Sequence, residues 1–388
     1  MDAYLIGAVR TPFGKHRGGL SGIRTDDLAA LPIAEMLRQA PNLDPARIDD
    51  VILGDTNGAG EDNRNVARMA ALLAGLPVTV PGATVNRLCA SGGEAMVQGA
   101  RSLAVGDASL IVAGGVESMS RAPYVLPKPD EVLPRRMELH QTQVGWRLVN
   151  PKMPAEWTRS LGACAESVAE SFGIGRAEQD EWALRSHQLS SEAWDKGFHD
   201  YVMPVASVTR DESIRSDSSI EKLATLKPAF SADGTVTAGN SSPINDGAIA
   251  VLMGPRAAAS ELDAEPFGQM LGSVTVGVEP ERFSIAPAPA VRKLLARAGL
   301  GFSDIAVWEF NEAFAAMVLS CLSELPEVDR QRVNPNGGAI AIGHPLGASM
   351  PRVVVDLCRQ LRRRGGGYGV AAACIGVGQG TAILVRVD

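Results

Sequence analysis

Apolar and β-branched runs alternate along the chain with helical patterns of apolar residues, and glycine turns separate them. The strand-like runs occupy residues 51–54, 109–113, 306–310, 369–373 and 382–385, and the helical patterns occupy residues 25–38, 90–105, 178–196, 288–298, 312–321 and 351–364. Such alternation is typical of βα units, so we expect an α/β fold with a mostly parallel sheet. The length of 388 residues fits two or three packed domains.

A weak internal repeat divides this pattern. Residues 89–117 run from a loop through a helix and a glycine turn into an apolar strand that ends in Gly-Gly. Residues 338–380 follow the same plan and end in Gly-x-Gly. The repeat predicts two similar βα halves whose glycine-rich ends lie near a common axis.

Residues 118–245 differ from both halves because prolines interrupt them. The prolines are Pro123, Pro127, Pro129, Pro134, Pro151 and Pro154. A stretch broken in this way predicts an insertion with long loops, which either covers a substrate or only decorates the surface.

Composition narrows the class of protein. The formal net charge of −7 argues against a nucleic-acid-binding surface. The sequence contains no run of 18 apolar residues, so we expect no membrane span. The first residues lack the basic start and apolar core of a signal peptide, so we expect a cytoplasmic protein. The five cysteines are scattered and form no Cys-x-x-Cys pair, which disfavours both disulfides and a structural zinc site.

Cys89 is the first candidate for chemistry, because it follows a strand-like run and precedes small residues that open a helix. Unpaired N–H groups and the positive end of the helix dipole at that position would lower the pKa of the thiol and make it a nucleophile. A free cysteine is as often simply buried and inert, so this segment alone leaves both interpretations open.

Three further segments hold polar residues among glycines or at a strand end. His344 lies between Gly343 and Pro345, in a tight loop that would present the imidazole to a cavity rather than pack it in a core. Cys374 precedes a glycine turn whose N–H groups suit an oxyanion site, and its thiol either exchanges protons or only ends a strand. Asn311 follows a strand-like run and is either a helix N-cap or the ligand of a water.

Together these segments resemble the thiolase family. The matching motifs are Asn-x-x-Cys-x-Ser-Gly at 86–92, Asn-Glu-Ala-Phe-Ala at 311–315, Gly-Gly-Ala-Ile-Ala-x-Gly-His-Pro at 337–345 and Cys-x-Gly-x-Gly-x-Gly at 374–380. With Arg-Thr-Pro-Phe-Gly at 10–14 and Thr-Ala-Gly-Asn-Ser-Ser at 237–242, the resemblance covers essentially the whole chain.

The resemblance implies a thiolase fold, in which two similar βα halves with mixed central sheets are layered with helices and carry an inserted loop domain. The N-terminal half would comprise residues 1–117 and 246–265, the loop domain residues 118–245, and the C-terminal half residues 266–388. Members of the family usually assemble as homodimers or homotetramers, so we expect one of these states.

The resemblance also implies catalytic roles. Cys89 would carry the acyl group as a thioester. His344 would deprotonate Cys89 and, with a water held by Asn311, bind a thioester oxygen. Cys374 would move the proton at the α-carbon of acetyl-CoA. The N–H groups of Cys89 and Gly376 would form a second oxyanion hole.

Further residues would contact the substrate, which includes CoA itself. They are Ser242, Met153 and Phe314. The implied partners are acyl-CoA and CoA, with no metal and no other cofactor required. Met350 and Pro243 stand where the family usually has glycine, beside the histidine loop and near Ser242 respectively.

The implied reaction is CoA-dependent cleavage of a 3-oxoacyl-CoA, and the acyl chain is the open question. Residues 60–70 and 145–151 are similar to the 3-oxoadipyl-CoA subgroup, whose substrate ends in a carboxylate. Ser-Leu-Gly at 160–162 replaces the His-Met-Gly usual in enzymes that form acetoacetyl-CoA. The alternatives are such an acetyl-CoA C-acetyltransferase, or a non-catalytic relative that binds acyl-CoA or lipid.

A carboxylate at the end of the acyl chain would need a cation in the pocket. Three arginines in the two subgroup-like segments are candidates: Arg64, Arg68 and Arg147. The opposing interpretation is that they form ordinary ion pairs with neighbours such as Glu61 and Asp62.

Overall fold

A computed structural model describes residues 2–388. The strands are β1 (Tyr4–Arg10), β2 (Gly14–Lys15), β3 (Asp50–Gly54), β4 (Gly82–Val85), β5 (Ile111–Ser118), β6 (Tyr124–Val125), β7 (His140–Gln141), β8 (Asn245–Gly254), β9 (Gly268–Gly277), β10 (Ile305–Phe310), β11 (Gly367–Ile375) and β12 (Gln379–Val387). The helices are α1 (Thr25–Gln39), α2 (Val66–Leu73), α3 (Ser91–Val105), α4 (Leu161–Ser171), α5 (Arg176–Asp195), α6 (Ile220–Ala224), α7 (Arg256–Glu261), α8 (Pro287–Ala298), α9 (Ala315–Glu324), α10 (Ala339–Ile342) and α11 (Leu346–Arg363).

The expected α/β class is confirmed, and so is the mixed sheet that the family resemblance implies. The mostly parallel sheet expected from the alternating pattern alone is wrong. One ten-stranded sheet has the order β10-β11-β12-β9-β1-β8-β5-β3-β4, with β2 added beside β8. Only the β3–β4, β3–β5 and β10–β11 pairs are parallel. The start of the chain was expected to be strand-like and forms β1, but the sequence pattern missed β8 and β9; all three run antiparallel to their neighbours at the centre. Apolar runs indicate burial and carry no information on strand direction.

The two halves of the chain meet at the centre of this sheet. Tyr4 and Leu5 of β1 pair with Gln269 and Gly268 of β9, and this short antiparallel contact joins the strands of the first half to those of the second. The sheet is therefore continuous across both halves.

Helices α3 and α11 are the helices of the predicted internal repeat, and they pack directly against each other. The approach is so close that a Cβ on Gly92 of α3 would lie 2.2 Å from the carbonyl oxygen of Gly347 in α11. A real side chain cannot come this near, so glycine is required at position 92. Met350 is fully buried in α11 and faces α3 at Gly93. Because both helices begin at the same end of the contact, the segments that precede them, with Cys89 and His344, are brought together.

The chain leaves the sheet at the end of β5 and returns to it at the start of β8, where Ser118 pairs with Asp246. The intervening residues form α4, α5, α6 and the small β6–β7 hairpin. This is the proline-broken stretch.

Glu312 ties that stretch to the C-terminal part of the chain. Its buried carboxylate accepts hydrogen bonds from Trp182 Nε1 (3.0 Å) and Ser186 Oγ (2.6 Å) of α5. It also accepts from Asn334 Nδ2 (2.9 Å) and from the backbone N–H of Ile340 (3.2 Å). Four donors from three chain segments therefore satisfy one buried charge, which holds α5 against the loop that leads to the histidine.

Candidate active site

Cys89 lies in a turn of 3₁₀ helix, Leu88–Ala90, directly before α3. Leu88 has a φ of 48°, and the Ser91 hydroxyl fixes this turn by donating to Leu88 O (2.7 Å) and accepting from Arg87 N–H (2.9 Å). The Cys89 side chain is buried, and the backbone N–H groups of Gly376 and of Cys89 itself lie near its sulfur, where they lower the pKa of the thiol. Both N–H groups therefore lie beside the sulfur that the resemblance expects to carry an acyl group.

The expected low pKa of Cys89 is wrong. Burial raises the pKa of the thiol to about 11, and the nearby Glu117 carboxylate raises it further, although the two N–H donors act in the opposite direction. The helix end does not compensate for the loss of water around a charged sulfur. Cys89 is therefore a thiol at rest, and a base must take its proton as it reacts.

The resemblance implies His344 as that base. Its Nδ1 lies 2.6 Å from Ser349 Oγ, and the Ser349 hydroxyl donates its own hydrogen to Pro345 O (2.8 Å). Since that hydrogen is already used, Ser349 accepts from His344 Nδ1–H, which leaves Nε2 unprotonated, with its lone pair as an acceptor. Burial, together with the positive charge of Arg352, lowers the pKa of His344 to about 3, so the imidazole is neutral.

The loop around His344 depends on a glycine. Gly343 has a φ of 115°, a region that residues with side chains rarely adopt, and a Cβ there would collide with the Asn245 side chain. Asn245 Oδ1 in turn accepts a hydrogen bond from the backbone N–H of His344 (3.1 Å). The histidine is therefore held through its backbone as well as through its ring.

Asn311 lies beside the imidazole. Its Nδ2 is 3.3 Å from His344 Nε2 and 3.5 Å from Nδ1, so the amide faces the ring. Its Oδ1 is buried without a hydrogen-bond partner among residues 2–388. A buried polar atom in this state needs a partner, and a water or a substrate group next to His344 would supply one.

Cys374 is fully buried in β11, two residues before Gly376. Burial raises its pKa well above the ordinary value, and Cys89 is the second cause, which places the two thiols near each other. The turn that follows is strained, because Val377 has a φ of 59° although its side chain is β-branched. This turn aims the Gly376 N–H at Cys89.

Glu117 connects the end of β5 to the start of α11 beside this site. Glu117 and Ser118 are the last two residues of β5. The Glu117 side chain accepts hydrogen bonds from Gly347 N–H (3.0 Å) at the start of α11 and from the Thr56 hydroxyl (2.6 Å). Burial and the neighbouring Asp55 carboxylate raise the pKa of Glu117 well above its ordinary value.

The structure adds two residues that sequence reasoning did not assign to the site. A Cβ on Gly376 would lie 2.9 Å from the ring of Trp146 and 3.4 Å from Leu161, so both side chains cover the turn beside Cys89. They come from the proline-broken stretch, for which the sequence left open a substrate cover or a surface decoration. Their distance along the chain from Gly376 left no local signal of the contact.

The three predicted binding residues fall into two groups. Ser242 and Phe314 lie next to each other, since Ser242 N–H donates to Ala313 O (2.9 Å) and Phe314 pairs with Ser241 in an isolated bridge. Both therefore adjoin the segment that carries Asn311. Met153 lies on an exposed stretch, with 38% of its surface accessible.

The three candidate arginines differ in their surroundings and in how far they are buried. Arg68 donates its guanidinium hydrogens to the carbonyl oxygens of Val78 (3.0 Å) and Val80, which is a structural role. Arg64 is exposed on a loop, with a φ of 66°. Arg147 is half-buried next to Trp146. Glu61, the expected partner, pairs instead with Arg24 and Arg121.

Within residues 2–388 no helix is long and apolar enough to cross a membrane, and no group of three or more His, Cys, Asp or Glu side chains is arranged to hold a metal ion.

The site thus combines a buried thiol, a neutral histidine and a second buried thiol on a mixed α/β scaffold, a set of groups that suits an acyltransferase. The family model for the thiolase N-terminal domain matches residues 3–257, and that for the thiolase C-terminal domain matches residues 264–387. The chain belongs to the thiolase family, whose reaction is the CoA-dependent thiolytic cleavage of a 3-oxoacyl-CoA.

Individual relatives agree with this assignment. The chain is 48% identical to the beta-ketoadipyl-CoA thiolase of Acinetobacter baylyi and 46% identical to the 3-oxoadipyl-CoA/3-oxo-5,6-dehydrosuberyl-CoA thiolase of Escherichia coli, in each case over 99% of both chains. It is 41% identical to an acetyl-CoA acetyltransferase of Chromobacterium violaceum over 100% of both. The crystal structure of human mitochondrial 3-ketoacyl-CoA thiolase in complex with CoA matches with a TM-score of 0.92 at 35% identity, covering 100% of this chain and 98% of that one.

Proposed function

We propose that this thiolase acts on a 3-oxoacyl-CoA whose acyl chain ends in a carboxylate, with 3-oxoadipyl-CoA as the representative substrate. The names of the relatives at 46–48% identity support this substrate class. The observation that carries the mechanism is the convergence of two N–H donors on Cys89 beside the neutral His344 and the second thiol of Cys374.

The first half-reaction cleaves the substrate. His344 Nε2 takes the proton of Cys89, and the resulting thiolate attacks the C3 carbonyl carbon, whose oxygen lies against the N–H groups of Cys89 and Gly376. The bond between C2 and C3 then breaks, which leaves the shortened acyl group on Cys89 and the enolate of acetyl-CoA. The enolate oxygen is held by protonated His344 and by a water on Asn311, and Cys374 donates its proton to C2.

The second half-reaction releases the acyl group. A CoA thiol gives its proton to the Cys374 thiolate and attacks the thioester carbon on Cys89. The tetrahedral intermediate uses the same two N–H groups, and Cys89 leaves and recovers its proton from His344 Nε2. Each group returns to its starting state, so the cycle needs no metal and no cofactor other than CoA as a substrate.

The test is a CoA-dependent cleavage assay on purified enzyme with 3-oxoadipyl-CoA, the neutral 3-oxohexanoyl-CoA and acetoacetyl-CoA. We expect the highest kcat/KM for 3-oxoadipyl-CoA. A preference for acetoacetyl-CoA would instead support an acetyl-CoA C-acetyltransferase, the activity named for the relative at 41% identity. The absence of cleavage on all three substrates would support a non-catalytic acyl-CoA-binding protein.

The acyl-enzyme is tested directly by mass spectrometry after brief mixing with acyl-CoA. We expect one added acyl mass, on Cys89, and none in Cys89→Ala. Cys358→Ala is the matched control, because Cys358 is equally buried but lies on α11, packed against Gly268. Labelling that survives Cys89→Ala would contradict the assignment.

We also propose the division into two halves, residues 1–117 with 246–265 and residues 266–388, and a loop domain of residues 118–245 that covers the substrate. The cover of Gly376 by Trp146 and Leu161 supports the last point.

Ser242, Met153 and Phe314 are proposed contacts of the CoA arm. We further propose a cytoplasmic homodimer or homotetramer. Apolar side chains of the loop domain support assembly, because Val132 and Leu133 are 97% and 85% exposed.

A further inference from the structure

Arg147 carries an uncompensated positive charge beside the catalytic pocket. Its side chain is half-buried, and among residues 2–388 no carboxylate forms an ion pair with it. Its one hydrogen bond is a long contact from Nη2 to Asn57 Oδ1, at 3.4 Å. A guanidinium has five N–H donors, so most of its capacity is unused.

The partner of Arg147 is fixed so that it presents oxygen and not nitrogen. The Thr142 hydroxyl donates to Pro123 O (2.7 Å), so Thr142 Oγ1 accepts from Asn57 Nδ2 (2.9 Å). With its nitrogen engaged there, Asn57 turns Oδ1 toward Arg147. This chain of hydrogen bonds positions the guanidinium without neutralising its charge.

Two contacts connect the neighbours of this arginine to the segments around Cys89. The preceding residue, Trp146, covers Gly376, whose N–H donates to Cys89. On the other side, Asn57 follows Thr56, whose carbonyl oxygen accepts from Asn86 Nδ2 (2.9 Å), three residues before Cys89. Arg147 is therefore held between the loop that covers Cys89 and the strand end that leads to it.

We propose that Arg147, positioned by Asn57, binds the terminal carboxylate of the acyl chain and so determines the preference for dicarboxylic substrates. This inference rests on the proposed function. Cleavage of 3-oxoadipyl-CoA leaves a succinyl group on Cys89, whose carboxylate lies about 6 Å from the sulfur by ordinary bond lengths. A half-buried guanidinium in this position offers a bidentate contact to that carboxylate, which a neutral chain end cannot use.

The experiment measures the ratio of kcat/KM for 3-oxoadipyl-CoA to that for 3-oxohexanoyl-CoA. Arg147→Gln is expected to lower this ratio by about ten- to a hundredfold, the usual effect of losing hydrogen bonds to a charged group. Arg297→Gln, a change of the same type at an exposed position near the end of α8, is the matched control and should leave the ratio unchanged. Because both substrates use the same catalytic residues, the ratio does not depend on the fraction of folded enzyme.

Asn57→Asp provides a second variant that keeps the arginine. The new carboxylate would pair with Arg147 and neutralise it, so the ratio should fall as it does in Arg147→Gln. If wild type prefers 3-oxoadipyl-CoA but neither variant lowers the ratio, the role of Arg147 is refuted and the proposed function stands. If wild type shows no preference for 3-oxoadipyl-CoA, the proposed substrate class fails, and this inference fails with it.

Discussion

Replacing Ser349 with alanine tests how the proton on His344 is positioned. Ser349 Oγ accepts from His344 Nδ1 at 2.6 Å, and this contact keeps the hydrogen on Nδ1 and the lone pair on Nε2. In Ser349→Ala the Nδ1–H is buried without that acceptor, and the tautomer with hydrogen on Nε2 becomes competitive. The tautomer with hydrogen on Nε2 cannot take the proton of Cys89, because its Nε2 has no free lone pair.

The magnitude follows from the burial of the site. Leaving a buried donor without its acceptor costs about 1–3 kcal/mol. If this cost falls on the reactive tautomer, acylation of Cys89 slows by about 5- to 150-fold. The measurement is the rate of acyl-enzyme formation from acyl-CoA, followed by rapid quenching and mass spectrometry, because it isolates the step in which His344 acts as a base.

Ser320→Ala is a closely matched control. Ser320 is also a fully buried serine whose hydroxyl donates to the carbonyl four residues earlier (Ala316 O, 2.7 Å), but it lies in α9 and contacts no histidine. We expect its acylation rate to remain that of wild type. An acylation rate in Ser349→Ala equal to that of the Ser320 variant would refute the reasoning.

Two further predictions concern Cys374 and a buried histidine outside the site. Cys374→Ala should still accept an acyl group on Cys89 but lose exchange of the α-hydrogens of acetyl-CoA with deuterated water, and exchange at the wild-type rate would exclude the proton-transfer role. His199 lies in an aromatic cluster with Trp194 and Phe198, and burial lowers its pKa from 6.5 to about 4. The unfolded state therefore binds a proton more readily, so His199 destabilises the fold as the pH falls below 6.5. His199→Leu should make the loss of unfolding free energy between pH 7 and pH 5 smaller by about 2 kcal/mol, measured by urea denaturation, and an unchanged loss would contradict the lowered pKa.

The positions of the candidate catalytic residues could be anticipated because each is marked locally. His344 is flanked by glycine and proline, Cys374 precedes a glycine turn, and Asn311 follows an apolar strand. Such features arise because a tight loop needs particular backbone angles, and those requirements are visible in neighbouring residues.

The chemistry of those residues was less predictable, because it depends on distant parts of the chain. The pKa of Cys89 was expected to fall, but burial by segments remote in sequence raises it. The cover of Gly376 by Trp146 also left no local trace, since 230 positions separate the two residues by their numbers. The prediction of strand direction was wrong for the same reason, because an apolar run such as residues 245–254 does not indicate which strands it will pair with.

The hydrogen bonds of Glu312 limit how this enzyme can be recombined with its relatives. The loop domain proposed to cover the substrate is one continuous stretch, residues 118–245, which invites its transplantation between thiolases to exchange substrate range. The stretch supplies Trp182 and Ser186, two of the four donors to a carboxylate that stays behind. A chimera without equivalent donors would leave a buried charge short of partners, at a cost of about 1–3 kcal/mol or more. A workable graft must therefore carry both side chains, or replace Glu312 together with them.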